Sequence, residues 1–321
     1  ETGEPKKSKK TDYSKVFGNK LVELARTNEK IVAITASMKD GTGLGNFQKE
    51  FPKRFFDIGI AEQHAITMAA GMAKEGMIPV VPIYSSFYQR AYDQVIHDVA
   101  IQNLPVIMCV DRAGIVGADG ETHQGTLDMA FFRLVPNLTI MAPKELEDML
   151  ELAVKLKKPV VIRYPRGGED TNIKFEKHEK IEFGKAEILK EIEKTCEKKL
   201  VIISIGKMVS KAMKIANILE KDEKIQVEVI NARFLKPLDK DKIKSSIEKN
   251  KNVITIEDGT CINGLGTAIK ELIVENNLKN IKMQAYSYPD EFIQHGSVEE
   301  LEKIYGLAEI HKKVEEMLKK D

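Results

Sequence analysis

The chain has 321 residues, 42% of them hydrophobic, and its 50 Lys plus Arg against 49 Asp plus Glu leave a formal charge of +1. That length suits two domains, each with a sizeable core, and the charge balance argues against nucleic acid or a membrane surface as a whole-molecule partner. Cys109, Cys196 and Cys261 are too scattered for a disulfide framework or a metal-ligand spacing, and no apolar run nears the roughly 20 residues of a spanning helix; a reduced, cytoplasmic setting is the expectation.

The opening ETGEPKKSKKTD is polar and basic with one proline, the composition of an interdomain linker. The chain therefore reads as the C-terminal part of something longer, with an expression scar as the alternative. Tyr13–Asn28 has helical spacing, with Val16, Leu21, Leu24 and Ala25 on one apolar face. Ile31–Thr35 is a buried strand ending in a small polar loop that carries Ser37 and Asp40. Phe55–Ile58 is a short strand, Gly59 a tight turn, and a helix opens at Glu62, where the helix dipole favours a carboxylate. The neighbours of Glu62 are apolar and small, so the place is dry. Dryness raises a carboxylate's proton affinity and suits it to share a proton with a ring nitrogen; a carboxylate that only satisfies the dipole is the plainer reading.

Ile78–Tyr84 is the next apolar run, followed by Ser85, Ser86 and an amphipathic helix over Phe87–Asn103. Pro105–Val110 is a strand that runs into a long glycine-rich loop from Asp111 to Gly125, carrying Arg112, Asp119 and His123. Long loops within compact domains are usually functional. Leu138–Ala142, a helix over Lys144–Leu156 and Pro159–Tyr164 complete this unit, and Pro165-Arg166-Gly167-Gly168 closes it. The second unit has strands at Leu200–Ile205, Val227–Ile230, Val253–Ile256 and Ile281–Tyr286. Its helices are Met208–Leu219, Leu238–Lys249 and Gly266–Asn276, with one or two more over Val298–Lys320. Gly259, Gly264 and Gly266 do not match a dinucleotide fingerprint and read as a structural tight turn. The alternation predicts an α/β protein of two three-layer α/β/α domains with mostly parallel sheets. The expected division is residues 1–12 linker, 13–170 first domain, 171–183 linker and 184–321 second domain.

In a parallel sheet the loops that follow the strands share one edge. Five such loops offer Ser37 and Asp40; Glu62; Tyr84, Ser85 and Ser86; Arg112, Asp119 and His123; and Arg166. A carboxylate, a histidine and several arginines converging there suit a phosphorylated, carbonyl-bearing substrate. Singly, each has a plainer reading. His123 would be a surface loop residue, Arg112 and Arg166 ion-pair partners, Arg90 the solvated face of its helix and Phe87 core. His64 and His97, on helices, are taken as structural.

Four runs carry a resemblance. GIAEQHA (Gly59–Ala65), YSSFYQRAYDQVIHDVA (Tyr84–Ala100), DRAGIVGADGETHQG (Asp111–Gly125) and RYPRG (Arg163–Gly167) together closely resemble the 1-deoxy-D-xylulose-5-phosphate synthases, thiamine-diphosphate enzymes of the transketolase superfamily. The likeness runs the length of the chain and is strongest over Tyr13–Gly168. It implies that Glu62 bonds the N1′ nitrogen of the cofactor's aminopyrimidine and that Phe87 stacks on that ring. It implies that Tyr84, Arg90, Arg112 and Arg166 hold the phosphate and hydroxyls of glyceraldehyde 3-phosphate, the acceptor for the two-carbon unit of pyruvate. Asp119 and His123 are then the candidates for positioning or proton transfer near the new bond. The resemblance also implies a homodimer and a place in isoprenoid and thiamine biosynthesis.

One departure is large: the glycine-aspartate motif and following asparagine with which the family holds the diphosphate through Mg²⁺ is missing from these 321 residues. Asp119-Gly120 lies in the acceptor loop and is not that site. The expectation is therefore a pyrimidine-binding and a C-terminal domain without a metal site, inactive alone and weak in cofactor affinity. A missing amino-terminal domain would be supplied by the same or a second chain. The alternatives are a subunit of a split transketolase or 2-oxo acid dehydrogenase, and a non-catalytic dimerisation module.

Overall fold

The computed structural model describes residues 12–144, 146–168, 173, 175, 180–193, 196–222 and 224–319. Most of the two expected linkers lies outside the described residues. Helix α1 (Tyr13–Thr27) starts where the Asp12 carboxylate accepts the Ser14 N–H, a side-chain cap. Its buried face is Phe17, Leu21, Val22 and Ala25, and the expected Val16 and Leu24 are only half-buried beside it.

The first unit continues as β1 (Ile31–Thr35), α2 (Gly45–Glu50), β2 (Phe55–Asp57), α3 (Glu62–Lys74) and β3 (Ile78–Tyr84). A segment of mixed winding follows: α4 (Ser85–Tyr88), a 3₁₀ turn (Gln89–Ala91), α5 (Tyr92–Gln94) and a π turn (Val95–Ala100). This corrects the expected continuous helix over Phe87–Asn103. The broken winding keeps Tyr88, Ala91, Val95, Val99 and Ala100 all in the core, and π turns of this kind recur at functional sites. Then come β4 (Ile107–Asp111), α6 (Asp128–Arg133), β5 (Thr139–Met141), α7 (Leu146–Lys155) and β6 (Val160–Arg163).

The second unit runs β7 (Glu187–Lys190), β8 (Lys198–Ser204), α8 (Met208–Leu219), β9 (Ile225–Asn231), β10 (Phe234–Lys236), α9 (Lys240–Asn250), β11 (Asn252–Thr260), α10 (Leu265–Glu275), β12 (Lys282–Tyr288), α11 (Val298–Ile304) and α12 (Ile310–Lys319). No helix among the described residues is long and apolar enough to cross a membrane.

The first sheet has the order β10-β5-β6-β4-β3-β1-β2 and the second β12-β11-β8-β9-β7. Both are parallel except at one edge, where β10 pairs antiparallel with β5 and β7 antiparallel with β9. Strand β10 thus leaves the second unit to finish the first unit's sheet, with Phe234 opposite Met141. Neither β7 nor β10 is expected from the sequence, because Glu187–Lys190 and Phe234–Lys236 are short and mix charged with apolar residues instead of forming an apolar run. The helices α2 and α6, six residues each, are too short to show a helical period.

The two units share one apolar cluster, in which Val161 and Ala142 of the first meet Ile203, Ile230 and Leu235 of the second. A buried polar clamp crosses the same boundary. Arg163, at the end of β6 and only 3% exposed, donates from Nε to Asp128 Oδ2 at 2.9 Å and from Nη1 to Asp258 Oδ1 at 2.6 Å. Lys207 Nζ lies 3.3 Å from the other oxygen of Asp258. Burial alone would push the Asp258 carboxyl up, but the Arg163 and Lys207 charges outweigh it and hold the group down at about 2. Nearby, the glycine turn serves packing. The buried Glu257 carboxylate accepts the N–H groups of Leu265 and Gly266 at 2.7 and 2.8 Å, so a carboxylate of the chain itself fills the start of α10. A Cβ on Gly264 would come 2.1 Å from Glu257 Oε2.

Breaking a buried ion pair from one side leaves an uncompensated charge and costs about 3–5 kcal/mol. Arg163→Met is expected to lower unfolding free energy by about that amount, read by urea denaturation; a change below about 1 kcal/mol would show that the clamp contributes little.

Candidate active site

Strands β2, β1, β3, β4 and β6 run parallel, with Thr35 opposite Asp57, Tyr84 opposite Asp111 and Val110 opposite Arg163. Their carboxyl ends therefore form one edge. Gly59, with φ of +72°, turns the chain from β2 into α3. Asp57 steadies that corner by accepting the N–H groups of Ser37 at 2.8 Å and Gly59 at 3.2 Å. Glu62 is the first residue of α3, and no side chain caps this end.

Glu62 is 2% exposed, and its Oε2 has no hydrogen-bond partner among the described residues. Its nearest charge is Arg90 Nη1, 3.7 Å from that oxygen, on a side chain 57% exposed. A buried carboxylate oxygen with no donor is costly and rare in folded proteins. It is the feature expected where a ligand supplies the missing donor.

The same sheet edge carries a row of rings. Phe87 lies 5.6 Å from Tyr84 and 5.4 Å, edge-on, from His123, measured between centroids. The Arg112 guanidinium sits 3.8 Å over the Tyr84 ring. Burial raises the Tyr84 phenol, with Arg112 pulling the other way. Arg112 Nη1 also donates to the Gly41 carbonyl at 3.0 Å, which joins the loop after β1 to the loop after β4. Gly41 has to be glycine here: a Cβ would fall 1.8 Å from the Tyr84 hydroxyl. Asp119 and Arg166 meet at 2.5 Å on the exposed side of the same edge.

The structure thus brings together Glu62 with Arg90, Phe87 with Tyr84 and His123, and Arg166 with Asp119. Arg112 and Arg166 are ion-paired, as the plainer reading had it, but on carboxylates of this same edge. Asp40 is exposed, with its carboxylate 3.7 Å from Lys39 Nζ. His64 and His97 are both exposed, and His97 Nδ1 lies 3.0 Å from Asp98 Oδ1. Among the described residues no cluster of His, Cys, Asp or Glu could hold a metal ion.

Three contributors were not singled out from the sequence. Asp111, fully buried, accepts the Ser14 hydroxyl at 2.7 Å and the Arg112 N–H at 2.7 Å, and lies 3.3 Å from Arg112 Nη1. It holds Arg112 in the left-handed conformation, φ +58°. Gln124 and Gly41 shape the loops on either side. An aspartate ending an apolar strand one residue before an arginine was the available signal for Asp111.

Residues 9–168 match the transketolase pyrimidine binding domain and residues 184–311 the transketolase C-terminal domain. The chain belongs to the transketolase family. Within it, the chain is similar to 1-deoxy-D-xylulose-5-phosphate synthases. It is 49% identical to that of Clostridium tetani over 311 residues, covering 96% of this chain and 49% of the relative. It is 51% identical to that of Halothermothrix orenii, covering 96% and 48%. The chain therefore spans about half the length of these relatives. Among solved structures it resembles a split-gene transketolase, described as an inactive beta4 tetramer, with a TM-score of 0.84, 29% identity and coverage of 96% of this chain and 98% of that one. The fold is shared with transketolase from Campylobacter jejuni, with a TM-score of 0.76, 17% identity and coverage of 97% and 47%.

Burial pushes both Asp111 and Glu257 up to about 7, against the pull of Arg112 in one case and of two backbone N–H groups in the other. Each holds a proton in the folded state that the unfolded chain gives up near pH 4, about the usual carboxyl value. Their contribution is fully present below about pH 4 and is lost as pH rises through about 7. The double variant Asp111→Asn, Glu257→Gln is expected to flatten the fall of unfolding free energy between about pH 4 and 7, where each group adds up to about 1.4 kcal/mol per pH unit. Parallel curves for the variant and the parent would contradict this assignment.

Proposed function

We propose that this edge is the pyrimidine half of a thiamine-diphosphate site, in an enzyme that condenses pyruvate with glyceraldehyde 3-phosphate to 1-deoxy-D-xylulose 5-phosphate and carbon dioxide. The observation that carries the reading is the buried Glu62 Oε2 without a donor. The aminopyrimidine fits that oxygen: a proton shared between Glu62 and N1′ would complete both, and the Phe87 ring, already flanked by Tyr84 and His123, offers a flat face. When bound, the cofactor supplies a nucleophilic thiazolium carbon that adds to a keto group and holds the electron pair left by departing carbon dioxide. Glu62 would hold and exchange the proton at N1′, a transfer favoured by its dry surroundings. Arg112 and Arg166, each steadied by a carboxylate, would orient the acceptor's phosphate, with Tyr84 and Arg90 beside its hydroxyls. Asp119 and His123 would position or move a proton where the new carbon–carbon bond forms.

Among the described residues no cluster of His, Cys, Asp or Glu could hold a metal ion, and the family's glycine-aspartate motif is missing from these 321 residues; Mg²⁺ and the diphosphate would be held by a further domain, in the same polypeptide or a partner chain. The structural likeness to a split-gene transketolase supports a second arrangement, in which the two halves are separate subunits. The glycine-rich loop Gly114–Gly125 favours the synthase chemistry within either arrangement. A homodimer, and a role in isoprenoid and thiamine biosynthesis, go with the synthase reading.

Two measurements test this. In the complete, cofactor-loaded enzyme, Glu62→Gln should lower product formation by about 10²–10⁴-fold, the range of a positioned proton-transfer group. Unchanged activity would favour a non-catalytic dimerisation module. Calorimetric titration of thiamine diphosphate and Mg²⁺ into these 321 residues alone should show weak binding at most. Submicromolar affinity would contradict the placement of the diphosphate site elsewhere.

A further inference from the structure

We infer that the C-terminal domain holds this site's acceptor loop in its binding position, through the contact of Gln124 with the segment 290–297, which act together as positioning elements for the loop that carries Asp119 and His123. The inference rests on the reading of that loop as the acceptor site.

The loop is tied at its two ends and again across its neck, and the ties lead into the second domain. Its ends are joined to each other, since Gly114 and Gly125 exchange N–H to carbonyl bonds of 2.7 Å in both directions. Gly114 lies against the second domain so closely that a Cβ would fall 2.2 Å from Asp258 Oδ2. Just past the loop, the Thr126 carbonyl accepts the Thr260 N–H at 2.9 Å. Across the neck, the buried Gln124 uses both ends of its amide. Its oxygen accepts the N–H of Val116 at 2.9 Å, and more weakly that of Gly117 at 3.4 Å, while its nitrogen donates to the Gln294 carbonyl at 3.0 Å. Gly117, at φ +69°, passes so close that a Cβ would stand 2.9 Å from the Gly296 carbonyl oxygen.

The partner segment is itself anchored. Ile293 is buried in the second domain's core with Leu301, and Ser297 and Glu300 cap α11 reciprocally. Between the ties, residues 118–123 project to the exposed edge, where Asp119 meets Arg166 and His123 meets Phe87. The position of those two side chains is therefore set by a domain that contributes none of the candidate catalytic residues. Buried backbone N–H groups left without a partner are unfavourable, so loss of the Gln124 amide should release the loop rather than leave it in place.

The test uses the complete, cofactor-loaded enzyme with Gln124→Ala, Gln124→Glu and Gly117→Ala. Gln124→Glu is the discriminating variant: its carboxylate can still accept from Val116 and Gly117 but cannot donate to the Gln294 carbonyl. Each variant should raise KM for glyceraldehyde 3-phosphate about tenfold, the size of one or two neutral hydrogen bonds, with KM for pyruvate within about twofold. Amide hydrogen exchange should quicken in 115–123 and in 290–297 together. Equal rises in both KM values, or faster exchange in 115–123 with 290–297 unchanged, would overturn the inference. Should the parent enzyme form no 1-deoxy-D-xylulose 5-phosphate, the proposed reaction fails, while the exchange measurement still decides whether the two segments are coupled.

Discussion

The structure turns on one carboxylate taken out of water. Glu62 begins a helix whose first turn has no side-chain cap, lies 2% exposed, and leaves Oε2 with only a distant arginine for company. A buried polar oxygen left without a hydrogen-bond donor costs about 1–3 kcal/mol, so a chain that keeps one keeps it for chemistry more readily than for stability. The helix dipole offsets part of the cost. The small residues of α3, Ala65, Ala69 and Ala70, let that helix sit close against the sheet and shut out water.

The other contributors are placed by topology. Parallel pairing sends five strand ends to one edge, so residues from Gly41 to Arg166 meet without being near in sequence. Holding that edge in register needs the second domain. β10 completes the first sheet, the Arg163 clamp joins α6 to β11, and Gln124 reaches Gln294. A two-domain unit joined this way moves as one body more readily than as two, which suits a site needing fixed distances between a ring-holding face and an anion-holding loop.

Much of this was legible in the sequence, for physical reasons. Apolar runs such as Ile31–Thr35 and Ile78–Tyr84 are buried on both faces and stand out, and the Gly59 turn before Glu62 marks a strand-to-helix corner. What stayed hidden depends on contacts across the chain. Arg163 sits within RYPRG, a run read for its likeness to a functional motif, yet its guanidinium is spent on Asp128 and Asp258 in the core. Asp111 looked like the end of a strand, and only its contacts with Ser14 and Arg112 show that it fixes a left-handed arginine. The helix expected over Phe87–Asn103 has the right apolar spacing on average, but spacing cannot reveal a 3₁₀ turn followed by a π turn within it.

The most direct measurement is a crystal structure of these two domains with the rest of their enzyme and thiamine diphosphate. The account expects Glu62 Oε2 within about 2.6–3.0 Å of the pyrimidine N1′, hydrogen-bond distance, with the ring against Phe87. A pyrimidine bound elsewhere, with Glu62 satisfied by protein or water instead, would contradict it.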